Sequence, residues 1–263
     1  MARGIVVIDP GHGGPLEIGD SSANNSTSPS GVLEKNMTLR LGLLVRDAIN
    51  AAAGAGNHDI KVFMTRDSDY NLSLGARANV AKANKADLFL SIHFNASIAH
   101  KVRGVETLVR PKTAGNINHA EDTAFAKRVQ AAVLNAIKAH DPTTKDRKVK
   151  DQILGVLKDK ELGSGVRACL VEVEFIDIKA VDELLNLGAK AVQVRGDIAA
   201  AIAKACIDEL KSINFRKTIE PFTQRVKHQK GGGNEQCIAK QVTPNISQGS
   251  LPACSRPRYN SCV

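Results

Sequence analysis

The chain has 263 residues, 43% of them apolar, only 3% aromatic with no Trp, and a net charge of +9. That is enough apolar material for one sizeable core of about 200 residues, and too few aromatics for a stacking platform on sugars or single-stranded nucleic acid. No apolar run approaches the roughly 20 residues of a membrane span.

The opening run Ile5-Val6-Val7-Ile8 reads as a buried strand, ended by Pro10-Gly11-His12-Gly13-Gly14, which delivers a histidine at the strand's carboxyl end. The first strand thus starts at about residue 4, which leaves no room for a signal peptide. The expectation is synthesis in the cytoplasm, with any work outside it following release or a separate export route.

Pro15 to Gly31 is a loop rich in Gly, Ser, Asn and Pro, and a helix follows from about Glu34 to Ala53, stopped by Gly54-Ala55-Gly56. Asp59 to Thr65 reads as a strand, Leu74 to Lys85 as an Ala-rich helix, and Asp87 to His93 as a buried strand that again ends on a histidine. Gly104 to Arg110 is a further strand. His119 to Ala139 is an amphipathic helix, with Phe125, Val129, Val133 and Ile137 facing the core.

A basic stretch, Lys145 to Lys150, reads as a solvated face, and Ala168 to Phe175 as a strand carrying Glu172 near its end. Val181 to Leu187 and Ala189 to Ile213 are helical. The alternation predicts an α/β class: a single domain over residues 1–214, with a central, mostly parallel twisted sheet of about six strands flanked by helices on both faces. Residues 215–263 read as a basic tail, flexible or weakly folded; from residue 216 it holds eight Lys and Arg against two Glu, which is +6 of the net +9. Cys169 and Cys206 sit in apolar runs as buried thiols, whereas Cys237, Cys254 and Cys262 fall in the tail, and neither set has zinc-motif spacing.

His12, His93 and Glu172 all arrive near the carboxyl ends of strands, where open parallel sheets form their sites, and Glu34 opens a helix whose amino end faces the same edge. Two imidazoles and a carboxylate suit a catalytic zinc with one open position, and a second, unligated carboxylate suits a general base and acid. On the residues alone, a metal site, an assortment of polar strand ends and an unrelated chemistry all stay open.

Five stretches, Asp9-Pro10-Gly11-His12-Gly13-Gly14, Leu33-Glu34-Lys35-Asn36, Thr65-Arg66 with Leu74-x-x-Arg77-Ala78-Asn79, Ala86 to Ala96, and Leu170-Val171-Glu172, resemble in this order the zinc-dependent N-acetylmuramoyl-L-alanine amidases of the family called amidase 3. The resemblance spans about residues 3 to 213. It implies hydrolysis of the amide between N-acetylmuramic acid and the L-alanine of the peptidoglycan stem. It also implies one Zn²⁺ per chain held by His12, Glu34 and His93, with Glu172 as the catalytic carboxylate.

The pattern departs from the family at Glu174, where a small Gly is usual, and at Asp177-Ile178. If Glu174 points into the site, its charge would raise the pKa of Glu172 by like-charge repulsion; if strand alternation holds, it shares a face with Glu172 and meets Arg167 or Lys158 instead, and both readings stay open. Asn95, Arg66 and Arg77 are candidate substrate contacts; for the two arginines the competing reading is an ion-pair or capping role inside the fold.

The expected function is a lysis enzyme of the phage endolysin type, acting as a monomer on peptidoglycan. Its tail is suited to anionic cell-envelope polymers, and no motif points to a specific nucleic acid. A zinc peptidase on soluble peptides and a non-catalytic wall-binding or regulatory protein are the alternatives. The latter predicts a broken ligand set, whereas all four residues are present. The Pro15 to Gly31 loop is too short for a long occluding helix, so the site is expected to stand open.

Overall fold

The computed structural model describes residues 1–229, with side chains as far as Thr218. One sheet has the order β2-β1-β3-β6-β4-β5, with β1 Arg3–Pro10, β2 Asp59–Met64, β3 Leu88–Asn95, β4 Val105–Val109, β5 Asp146–Asp151 and β6 Arg167–Phe175. Every neighbouring pair is parallel except β4 and β6, which are antiparallel. The helices are α1 Glu34–Ala55, α2 Leu74–Ala83, α3 His119–Lys138, α4 Asp159–Leu162, α5 Lys179–Asp182 and α6 Ala191–Gln229.

The continuous apolar runs of the central strands are explained by burial on both faces. Val6, Ile8, Leu90, Ile92, Val171 and Val173 point into a core closed by α1, α3 and α6, to which α1 contributes Met37, Leu41, Val45 and Ile49 at four-residue spacing. Val7, Phe89, Ala168 and Leu170 point the other way, against Ala78, Ala81 and Leu162 of α2 and α4. Cys169 and Cys206 are buried free thiols, as expected.

Two elements differ from the sequence reading. The basic stretch at Lys145 to Lys150 lies on β5, an edge strand in which only Val149 packs on the core. Its charges hid the strand, because edge strands resist unwanted pairing by carrying charge in place of apolar alternation. The last helix, expected to end at Ile213, runs on through Gln229. The apolar stripe stops near Ile213, but no Gly or Pro stands between it and Pro221 to end the helix.

The first compact unit is Met1–Pro221, and of the second, Phe222–Val263, only the end of α6 is described. Residues 230–263, which carry most of the expected basic tail and Cys237, Cys254 and Cys262, lie outside the described residues. No described helix is long and apolar enough to cross a membrane.

One buried acid has a consequence for stability. Asp122, in the first turn of α3, accepts hydrogen bonds from the Ala168 amide at 2.8 Å and Asn116 Nδ2 at 2.9 Å, tying α3 to the start of β6. Burial pushes its carboxyl up to about 7, against the opposing pull of those two bonds. A carboxyl whose folded pKa is raised favours folding while protonated, and that contribution is lost as pH rises through the folded value. Relative to Asp122→Asn, the wild type should therefore lose a few kcal/mol of unfolding free energy between about pH 4 and about pH 8. Chemical denaturation of both proteins across that range measures it, and a pH-independent difference would refute it.

Candidate metal centre

The connections fix where the site forms. From β1 the chain crosses to β2 on one side, and from β2 it returns to β3 on the other, so the β1 and β3 ends flank the point where the winding reverses. His12 follows β1 and His93 lies near the end of β3, while Glu34 is the first residue of α1. Among the described residues, His12, Glu34 and His93 form one group whose possible ligand atoms all lie within 4.8 Å of one another.

Local backbone chemistry shapes this group. His12 has φ +61°, a left-handed conformation that is uncommon outside Gly but enriched in His, Asn and Asp. Gly11 is required by contact: a Cβ there would lie 2.2 Å from the His93 ring. The two rings stand edge to face with centroids 4.8 Å apart.

His12 Nδ1 lies 3.0 Å from the Ser22 carbonyl and 2.9 Å from its hydroxyl. A carbonyl only accepts, so Nδ1 donates, which leaves Nε2 with its lone pair facing Glu34. His12 Nε2 is 3.1 Å from Glu34 Oε1, and His93 presents Nδ1 to the same oxygen at 3.2 Å. The Phe94 amide donates to Glu34 Oε1 at 3.1 Å.

Burial opposes the Glu34 charge, but the two imidazoles beside it, His12 and His93, prevail and pull its pKa down to about 2. His12 Nε2 and Glu34 Oε2 are nevertheless buried without a hydrogen-bond partner. Orphaned lone pairs on the His12 imidazole and the Glu34 carboxylate, with the His93 imidazole turned to the same carboxylate, fit a divalent cation with nitrogen and oxygen ligands, zinc above all.

Glu172 stands next to His93 in the β3 and β6 register. Its Oε2 is buried and unpartnered. Burial pushes its carboxyl up to about 7; His93 opposes the rise, and the Glu34 and Glu106 carboxylates add to it. Such a group holds or releases a proton near neutral pH, as a general base and acid must. Beside the two histidines lies a cleft of about 150 Å³ walled by Leu74, Leu154, Val156 and Leu170. The 15–31 loop forms two isolated bridges and no helix.

Two expectations are corrected, at Glu174 and at the pair Arg66 and Arg77. Glu174 does not share the face of Glu172, because a bulge in β6 shifts the register from His93↔Glu172 to Asn95↔Phe175. Glu174 is instead fully buried, accepting from Arg103 at 2.8 Å, the Gly104 amide at 2.7 Å and Thr144 at 3.1 Å. Neither Arg167, which pairs with Glu209, nor Lys158 meets it.

Arg66 and Arg77 do not face a substrate. Both are buried, and their guanidiniums donate to the Pro10, Gly11 and His12 carbonyls of the histidine-bearing loop. Arg77 also pairs with Asp9 at 2.9 Å. They hold the loop that presents His12.

Asn95 donates to Glu106 Oε1 at 2.9 Å and accepts from the Ala96 amide at 2.9 Å, which leaves it half-buried at the rim. Glu106 itself, directly opposite Glu172 across β4 and β6, escaped the sequence reading. Its signal was a lone carboxylate at the second position of an otherwise uncharged five-residue strand, Val-Glu-Thr-Leu-Val.

Comparison with known proteins is consistent with this geometry. Residues 6–204 match the model of a family described as N-acetylmuramoyl-L-alanine amidase. The endolysin of Bacillus phage SPP1 is 33% identical over 182 residues, covering 69% of this chain and 58% of that protein. The N-acetylmuramoyl-L-alanine amidase CwlM of Bacillus licheniformis is 28% identical, covering 76% of this chain and 68% of that one. Among solved structures, an N-acetylmuramoyl-L-alanine amidase from Clostridium difficile 630 superposes with TM-score 0.62 at 25% identity, over 81% of this chain and 99% of the other. The chain thus spans less than two thirds of the phage endolysin's length.

Proposed function

The chain belongs to the amidase 3 family of N-acetylmuramoyl-L-alanine amidases, and from that premise we propose that it is a zinc-dependent peptidoglycan hydrolase. It cuts the amide between N-acetylmuramic acid and the L-alanine of the stem peptide. The observation that carries this reading is the convergence of His12, Glu34 and His93, with buried lone pairs lacking partners, beside the unpartnered carboxyl of Glu172.

His12 Nε2, His93 Nδ1 and the Glu34 carboxylate would hold one Zn²⁺ per chain, which when bound supplies Lewis-acid activation of water and of the scissile carbonyl. Ser22 orients His12, and the Phe94 amide holds Glu34. Glu172 takes the proton from the attacking water and delivers it to the departing amine of L-alanine. Its burial, which pushes the carboxyl up to about 7, suits it to both steps.

We take residues 1–214 as the catalytic domain and 215–263 as a basic extension suited to anionic envelope polymers. The likeness to a phage endolysin supports a lysis role, and the helix-free 15–31 loop supports a site open without an activator.

Purified peptidoglycan digested with the protein, analysed by mass spectrometry, tests the reading. Stem peptides beginning at L-alanine should be released, release should cease on chelation, and zinc should restore it. Intact glycan–peptide linkages alongside cleavage of soluble peptides would favour a peptidase instead.

A further inference from the structure

Resting on the amidase reading, we propose that Arg147 and Lys150 form a subsite for a free carboxylate of the stem peptide, two or three residues from the scissile bond. The starting point is the basic stretch at Lys145 to Lys150, which the catalytic machinery does not use. In β5 it carries a bulge: Val105↔Asp146 is followed by Thr107↔Val149, which leaves an extra residue beside Lys148, whose φ is +72°. The bulge lets Arg147 and Lys150, three positions apart, reach the same partner.

That partner is Glu106. Its Oε2 accepts from Arg147 Nε at 2.7 Å and from Lys150 Nζ at 2.5 Å, while Oε1 accepts from Asn95. Arg147 also lies over the Phe175 ring at 5.0 Å, on the residue that the β6 bulge turns to this side.

The charges do not cancel. Two cations share one carboxylate, and among the described residues neither forms an ion pair with any other acid. Lys148 pairs instead with Asp146. The surplus positive charge is accessible, because the side chains of Arg147 and Lys150 are 31% and 43% exposed while Glu106 beneath them is 10% exposed.

Its position follows from the register. Glu106 faces Glu172 directly, and the cations bound to it come from the next strand out, so they lie between one and two strand spacings, roughly 5–10 Å, from the general base. An extended peptide covers that distance in about two or three residues at about 3.5 Å each. The anion must belong to the peptide, since the only carboxyl of N-acetylmuramic acid is consumed in the amide being cut. A carboxylate with two spare guanidinium donors and a lysine ammonium before it is held by charge-assisted hydrogen bonds.

The test uses two soluble muramoyl peptides that differ only at the second stem residue, one with a free α-carboxylate and one with its carboxamide. Both are turned over by the zinc-loaded full chain. Binding of the corresponding free stem peptides to Glu172→Gln is measured by calorimetry.

The wild type should prefer the acid about tenfold in kcat/KM, mostly through KM. Lys150→Met should bring that ratio close to one, and Lys127→Met, the same charge change on the exposed face of α3, should leave it intact. No acid preference in the wild type, an unchanged ratio in Lys150→Met, or an equal loss of preference in Lys127→Met would overturn the subsite. Absence of cleavage with a retained acid preference in binding would reject the amidase reading and keep the subsite. Equal suppression of the preference by inorganic phosphate and by acetate at matched ionic strength supports a carboxylate pocket. Suppression by phosphate alone would reassign it to phosphate-bearing polymers and overturn the proposal.

Discussion

Glu172→Gln should lower the rate of stem-peptide release by about 10²–10⁴-fold, the contribution of a positioned general base. Gln fills the same space but cannot take a proton from water, so the chemical step fails while the site keeps its shape. The fold should not suffer. Glu172 Oε2 is buried with no hydrogen-bond partner, and burial already pushes the carboxyl up to about 7, so a neutral amide exchanges the desolvation cost of a charge for the smaller one of an amide.

Zinc content should also be unchanged, because the three proposed ligands are other residues. Sacculus-clearing rates, metal analysis and a thermal melt on the same preparation separate these effects. A variant within tenfold of the wild-type rate would remove Glu172 from the chemistry. The same carboxyl should set the acid side of the pH profile. It accepts a proton only when ionised, so the rate falls as pH drops below its pKa in the working enzyme.

Arg77→Met should destabilise the fold by about 3–5 kcal/mol, the cost of stranding one member of a buried ion pair. For a unit of this size that lowers Tm by roughly 10 °C. Arg77 and Asp9 are each 1% exposed. Asp9 also accepts from Thr65 at 2.5 Å and from Ser91 at 2.7 Å. Burial raises its pKa, but the Arg77 charge and these bonds overcome it and hold the carboxyl below its ordinary value.

Without Arg77, Asp9 would be a buried charge, and the Pro10 and His12 carbonyls would lose a donor. Arg77→Met combined with Asp9→Asn should cost less than the sum of the two single changes, because removing both charges leaves neither stranded. Were Arg77 a substrate contact, Tm would hold and KM alone would rise.

Much of the fold was legible in the chain because each central strand is buried on both faces and so reads as an unbroken apolar run, as in Ile5 to Ile8 and Leu88 to Ile92. β5 was not, since an edge strand needs only one inward residue, Val149, and spends its other positions on charge. The continuation of α6 past Ile213 was likewise hidden, because a helix without a packing stripe leaves no periodic signal.

The sequence by itself picked out the four side chains proposed to carry the chemistry. His12, Glu34, His93 and Glu172 are each tied to the end of an element, and in parallel sheets such ends share one edge. Only the tertiary structure decided what the remaining polar residues do. Arg66 and Arg77 were turned inward by carbonyls more than 50 residues away in the chain, and Glu174 was turned off the site's face by a bulge. Glu106 was set against Glu172 by an antiparallel pairing inside a mostly parallel sheet. Pairing partners and bulges arise from contacts between distant segments, so local periodicity carries no record of them.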